Sequence, residues 1–262
     1  MEEILKLKAS DTASLEARGE ANKKYGIQDF DTWVKRILSR INCSSVLDVC
    51  CGTGNQLTYY IQMPCTTNIL GVDISKDSLK IARQRCEYLL STNKKLTLKC
   101  CKMEEMFDDK EIDRQYDLIS CFYGLYYAED VDVIVERMID HLNHKGVFLI
   151  VGPYGKNNAS LFEIIQKHCM IPELVIKSST TFMQEDLILK LVTLPGISVD
   201  TETFVNPILY PSPQAVMDYW QASTFYVPQY HSTIQQELEK RFENHDVFVV
   251  EKHIMAIIAS KL

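Results

Sequence analysis

The sequence predicts an α/β fold in which helices wind on both faces of a mostly parallel sheet. Three observations carry this. Five short apolar runs, residues 45–49, 68–72, 96–100, 117–121 and 147–151, have the length and composition of buried strands. Stretches of helical period separate them, the alternation of βαβ units. The first run also leads directly into a glycine-bearing turn, Cys50-Cys51-Gly52-Thr53-Gly54, ahead of a further helical stretch.

Taken in order, Phe30, Trp33, Val34, Ile37 and Leu38 form an apolar stripe on a helix that covers one sheet face. Ser75 can cap a helix carrying Leu79, Ala82 and Cys86, and Asp130 one carrying Ile134, Met138 and Leu142. Lys145-Gly146 then ends that helix and turns the chain into the fifth strand. Beyond Pro153 the alternation loosens. A helix is expected around 161–168, a β-like stretch over 197–209, a turn at Tyr210-Pro211-Ser212-Pro213, a helix over 214–221 and two strand-like runs at 247–250 and 254–259. The layout expected is one domain with N-terminal lid helices (1–42), a core (43–155), an inserted cap (156–245) and a final strand (246–262).

Composition narrows the function classes. With 262 residues, 46% hydrophobic and 24% charged, the chain can bury a core, which excludes a disordered or fibrous main state. The formal charge of −7 gives a mean field that repels polyanions, so no nucleic-acid partner is expected. Lys76, Lys80, Arg83 and Arg85, the densest basic cluster, sit at helical spacing and read as a solvated face. Nine cysteines include the adjacent pairs Cys50-Cys51 and Cys100-Cys101, and Met1-Glu2-Glu3 is not the start of a secretory signal. No apolar run approaches the ~18 residues of a membrane helix. A cytoplasmic protein, monomer or homodimer, away from membranes, is expected. The six histidines lack ligand spacing, so no metal is expected either.

The turn carries the chemistry. Gly52 and Gly54 let backbone approach a ligand, and the helix beginning near Asn55 aims its free amides at it. Asp73 ends the second strand, where an acid can accept from both hydroxyls of a ribose. A dinucleotide fingerprint requires a third glycine or an alanine where Leu57 stands, and Asp48 would repel a pyrophosphate. Asp48 suits instead a cofactor carrying an ammonium or a sulfonium.

Val46-Leu47-Asp48-Val49-Cys50-Cys51-Gly52-Thr53-Gly54 resembles the first motif of the class I S-adenosylmethionine-dependent methyltransferases. Gly71-Val72-Asp73-Ile74-Ser75 resembles that family's ribose motif, Tyr116-Asp117-Leu118-Ile119-Ser120-Cys121 its fourth strand, and His144-Lys145-Gly146-Val147-Phe148-Leu149 its turn into the fifth. The resemblance runs from about residue 30 to 152. It implies a seven-stranded sheet whose last strand, near 254–259, is antiparallel, with S-adenosylmethionine as cofactor.

By that resemblance Asp48, Cys50, Gly52 and Gly54 line the methionine portion, Asp73 holds the ribose, Ile74 packs on adenine and the Met103 amide reaches it. Cys121 closes the fourth-strand motif beside them, and Tyr25, with Arg18 and Asn22, belongs to a lid. Two positions depart from the family. Cys50 replaces the first glycine, which a small side chain tolerates at negative φ. Lys102 replaces an adenine-binding Asp, with Glu104 as the substitute.

Methyl transfer from a sulfonium needs alignment more than a strong base, so the sequence assigns no catalytic residue. The segment after the fourth strand lacks the N/D-P-P-Y/F tetrad of base-amine methyltransferases. Tyr123 and Tyr126 there, with Tyr154, Tyr219 and Trp220 of the cap, are the candidates for contact with a small-molecule acceptor. A protein or RNA methyltransferase and a catalytically silent S-adenosylmethionine-binding protein are the alternatives.

Overall fold

A computed structural model describes residues 8–262. In chain order the elements are α1 Thr12–Tyr25, α2 Phe30–Leu38, β1 Ser45–Val49, α3 Asn55–Gln62, β2 Asn68–Asp73, α4 Lys76–Glu87, β3 Lys95–Cys100, β4 Tyr116–Phe122, α5 Val131–Asp140 and β5 Leu142–Pro153. There follow α6 Ala159–Gln166, α7 Glu173–Thr180, α8 Leu189–Thr193, β6 Ile197–Tyr210, α9 Pro213–Gln221, α10 His231–Phe242 and β7 Phe248–Lys261. The seven strands form one sheet in the order β3-β2-β1-β4-β5-β7-β6, parallel through β5 and antiparallel at the last strands.

The chain divides into two compact units. One comprises 32–152, 183–202 and 255–262; the other, among the described residues, 8–31, 153–182 and 203–254. In the first, the apolar stripe of α2 is buried as its spacing requires, with Trp33 and Val34 inside. Ser75 accepts the Ser78 amide at 3.2 Å and Asp130 the Val133 amide at 3.1 Å, so α4 and α5 begin where their caps stand. Asp117 ties the start of the sheet: its carboxylate accepts the amides and hydroxyls of Ser44 and Ser45 and the Asn143 side-chain amide.

Three elements differ from the sequence expectation. α5 ends at Asp140, and Leu142 opens β5 instead of continuing the helix. Lys145-Gly146 form an irregularity inside β5, Lys145 at φ 63°, where the β4–β5 register shifts. A Cβ on Gly146 would come within 2.8 Å of the Asn143 carbonyl oxygen, so the glycine there serves a bulge and not a helix end. The runs at 247–250 and 254–259 are likewise parts of a single strand, β7.

The second unit has its own core, built on α6, α9, α10 and the adjoining parts of β6 and β7. Trp220 is wholly buried in it and donates Nε1–H to the Phe225 carbonyl at 3.3 Å.

Candidate functional site

The sheet order places β1 between β2 and β4, the point from which the chain winds outward both ways, and ligands of open α/β sheets bind beyond the carboxyl ends of strands at such a point. The register brings the singled-out residues there. Asp48 of β1 lies opposite Gly71 of β2 and Ser120 of β4, and Val49 opposite Val72 and Cys121.

Asp48 is 1% exposed. Its Oδ1 accepts the Ser120 hydroxyl at 2.7 Å, and Ser120 Oγ accepts the Tyr60 hydroxyl at 2.8 Å. Oδ2 is buried with no hydrogen-bond partner. Burial pushes the carboxyl up to about 7, Asp73 adds repulsion, and the Ser120 hydroxyl works in the opposite direction. A half-paired buried carboxylate is costly alone, and a cation beside Oδ2 would complete it.

Beyond β1 the backbone turns through left-handed conformations at Cys50 (φ 58°), Gly52 (φ 52°) and Gly54 (φ 81°). The negative φ expected for Cys50 is therefore not the one adopted. A non-glycine residue there carries about 1–2 kcal/mol of strain. Room for its side chain comes from Gly124: a Cβ at that position would lie 2.5 Å from Cys50 Cβ and 2.7 Å from its Sγ. Hydrogen bonding with the buried Cys121 thiol, then burial, pushes the Cys50 thiol up. Gly54 caps α3 without a side-chain bond. Its own Cβ would meet Ala82 Cβ at 2.8 Å, so this glycine also lets α4 approach.

Asp73 closes β2. Oδ2 accepts the Gly52 amide at 2.7 Å and Oδ1 the Ser75 amide at 2.8 Å, which clamps the carboxylate to the turn. Each oxygen keeps acceptor capacity for a ligand hydroxyl. Burial raises its pKa against these amides. Ile74 beside it is 58% exposed, an apolar face at the strand ends. Met103 and Glu104 sit half-buried in the turn after β3. There Glu104 accepts the Glu129 amide at 3.1 Å through its carboxylate.

Tyr123, at φ 55°, follows β4 and its amide donates to the Val151 carbonyl at 2.8 Å. Tyr126 is half-buried, its ring 4.7 Å from that of Tyr127. These residues belong to the first unit. Tyr25, Tyr154, Tyr219 and Trp220 belong to the second, where Tyr25 packs on Tyr210 at 5.5 Å, Tyr154 on His253 at 5.8 Å and Tyr219 on Tyr210 at 5.8 Å. Sequence reading missed Tyr60, Ser120 and Gly124. Ser120 had a detectable signal, a polar residue in an apolar strand at the register of Asp48.

The profile of a methyltransferase domain family matches residues 46–146. These include the strand, turn and register just described. Residues 46–146 thus carry the signature of a methyltransferase domain.

No curated protein sequence matches the chain. Among solved structures, a protein of Bacillus halodurans C-125 assigned as a methyltransferase shares 16% identity over 89% of this chain and 99% of its own, with a TM-score of 0.61. The plantazolicin methyltransferase BpumL, solved with S-adenosylhomocysteine, shares 16% identity over 99% of this chain and 94% of its own, with a TM-score of 0.55. At such identities the likeness is one of fold. S-adenosylmethionine, the cofactor that the sequence resemblance implies, fits the site's chemistry: a half-paired buried carboxylate for an ammonium, a clamped acid for a ribose and an exposed isoleucine for an adenine.

Proposed function

We propose that this methyltransferase domain passes the methyl group to an O, N or C atom of a small-molecule acceptor. The supporting observation is the composition of the site: a cation-seeking buried carboxylate beside a glycine turn, in a chain of formal charge −7, whose mean field repels a polyanion. In this reading Asp48 pairs with the methionyl ammonium, Gly52 and Gly54 admit the cofactor against backbone, and Asp73 accepts from the ribose hydroxyls. Ile74 packs on adenine, while Met103 and Glu104 meet its edge. Cys50 and Cys121 lie at the methionine end. Tyr25, Arg18 and Asn22 are assigned to a lid, and Tyr123, Tyr126, Tyr154, Tyr219 and Trp220 to the acceptor side.

The bound cofactor supplies an electrophilic methyl on a sulfonium. What the chain contributes is alignment of acceptor and methyl and exclusion of water, and an in-line displacement asks little more. In this reading the lid, core, cap and final strand follow one another at 1–42, 43–155, 156–245 and 246–262, residues 1–7 of the lid lying outside the described residues. A cytoplasmic monomer or homodimer accords with nine cysteines that are all thiols, and among the described residues no helix is long and apolar enough to cross a membrane.

Calorimetric titration with S-adenosylmethionine, S-adenosylhomocysteine and NADH tests the cofactor half. Binding of the first two alone is expected, with Asp73→Ala weakening it tenfold or more, on the order of 1–3 kcal/mol for lost hydrogen bonds to a charge. Methyl transfer to small acids, phenols or amines, but not to peptide or RNA, tests the acceptor half. Cofactor binding with no acceptor turned over would favour the silent binding protein.

A further inference from the structure

Lys252 is a buried cation that the cofactor site does not use. It occupies an inward position of β7, two residues after the core residue Val250, and is 6% exposed. Its Nζ donates to Asn158 Oδ1 and to the Tyr219 hydroxyl oxygen, each at 2.5 Å. Neither partner is a carboxylate, although the Lys252 charge and hydrogen bond lower the Tyr219 pKa against its burial. The neighbouring acid, Glu251, is directed to His253 at 3.2 Å, with its side chain 52% exposed. Burial pulls the Lys252 pKa down, Tyr219 works the other way through its charge interaction and hydrogen bond, and the positive charge of Arg18 lowers it again.

Arg18 is the second cation, on α1, where it donates to the Ala222 carbonyl at 2.6 Å. Arg18, Asn22 and Tyr25 recur at helical spacing and share one face of α1. That face meets the same cluster, since the Tyr25 ring packs on Tyr210, Tyr210 packs on Tyr219, and Arg18 acts electrostatically on both Tyr219 and Lys252. Two polar atoms in the cluster are buried without any partner: the hydroxyl of the fully buried Tyr210, and Asn22 Oδ1. The Asn22 oxygen is an acceptor; on the donor side stand the Lys252 and Arg18 cations and the Tyr210 hydroxyl. Lys252 has a third N–H and Tyr210 an idle O–H.

A buried ammonium without a counter-ion costs several kcal/mol, and a second cation nearby adds to that cost. A carboxylate offsets both, because its two oxygens can accept from an ammonium and a phenol together. We propose that Lys252, Arg18, Tyr210 and Tyr219 form a binding site for the carboxylate of a small organic acid, with the tyrosine rings against its apolar part.

Saturation-transfer NMR on the full chain, with benzoate, phenylacetate and glycolate as probes and their methyl esters as uncharged controls, tests the site. The acids should bind and the esters should not. Lys252→Met, which keeps the side chain's length and removes the charge, should weaken acid binding tenfold or more, and Tyr219→Phe should do so to a smaller extent if Lys252→Met fails to fold. Equal binding of esters, no binding of any acid, or unchanged binding in a folded Lys252→Met chain would overturn the proposal. S-adenosylmethionine binding without acid binding would overturn this inference alone; acid binding without S-adenosylmethionine binding would overturn the proposed function and leave the acid site standing.

Discussion

Replacing Asp48 by asparagine separates the stability of the fold from its use of the cofactor. The carboxyl is 1% exposed, and its pKa stands at about 7 against an ordinary 3.8. At ~1.4 kcal/mol per unit, the raised value costs the empty protein about 4 kcal/mol at pH 8 relative to a group that is neutral at every pH. The sign follows from the raised value: this contribution to stability is complete below pH 4 and is lost as the pH rises through 7. Asparagine keeps the acceptor that Ser120 uses but puts an unpartnered N–H where Oδ2 stands, a loss of roughly 1–2 kcal/mol. Urea unfolding at pH 8 should therefore find Asp48→Asn more stable than the parent by about 2–3 kcal/mol, with the advantage gone at pH 5. The same variant should bind S-adenosylmethionine at least tenfold more weakly at pH 8, since the ammonium has lost its counter-charge. An identical pH slope of stability in the two chains would refute the reasoning, because the charge at Asp48 would then not be the buried one.

Other consequences follow from the same geometry. Affinity for S-adenosylmethionine should rise about tenfold per unit up to pH 7 and level off above, because a cation beside Asp48 lowers its raised pKa and releases a proton. Calorimetry at pH 7 in two buffers of different ionisation enthalpy reads that proton, and equal heats would count against the pairing. Gly124→Ala should destabilise the fold by about 1–3 kcal/mol through its collision with Cys50, and Cys50→Gly on top of it should restore the loss in thermal unfolding. Asp117 is held down at about 2: burial works against that value, and hydrogen bonds from Ser44, Asn143 and Ser45 outweigh it. Its depressed pKa makes its stabilisation complete above pH 4 and lost as the pH falls through 2. Asp117→Ala should thus cost roughly 1 kcal/mol at pH 7, solvent screening of this partly exposed group cutting the full value, and less in acid, as read from denaturant midpoints.

The parallel part of the sheet was legible because buried strands bounded by capped helices announce themselves twice, in apolar length and in the Ser75 and Asp130 caps that the structure uses. Illegibility began where one residue serves two purposes. Lys145-Gly146 has the composition of a helix end, yet the backbone spends it on a bulge, since only the β4–β5 register distinguishes the two. Lys252 was missed for a related reason. Phe248, Val250 and Lys252 alternate as inward positions do, and a lysine in that phase reads as exposed until Asn158 and Tyr219 are found around it.

The Cys50 position shows why a site can be read from motifs and still be misjudged in detail. Taken by itself, a cysteine in place of the first glycine calls for ordinary backbone geometry, because left-handed φ penalises any Cβ. The chain keeps the left-handed turn regardless, at φ 58°, since the turn is held from outside: the Cys51 amide donates to the Val72 carbonyl and the Gly52 amide to Asp73. With the backbone so constrained, the thiol has to be housed, and Gly124, 74 residues downstream by number, leaves the volume in which it packs beside Cys121. The two positions thus act as a pair across the carboxyl ends of β1 and β4, glycine traded for bulk at one and bulk for glycine at the other. A pair of this kind has no local signature, which is why the rescue of Gly124→Ala by Cys50→Gly is the measurement that would establish it.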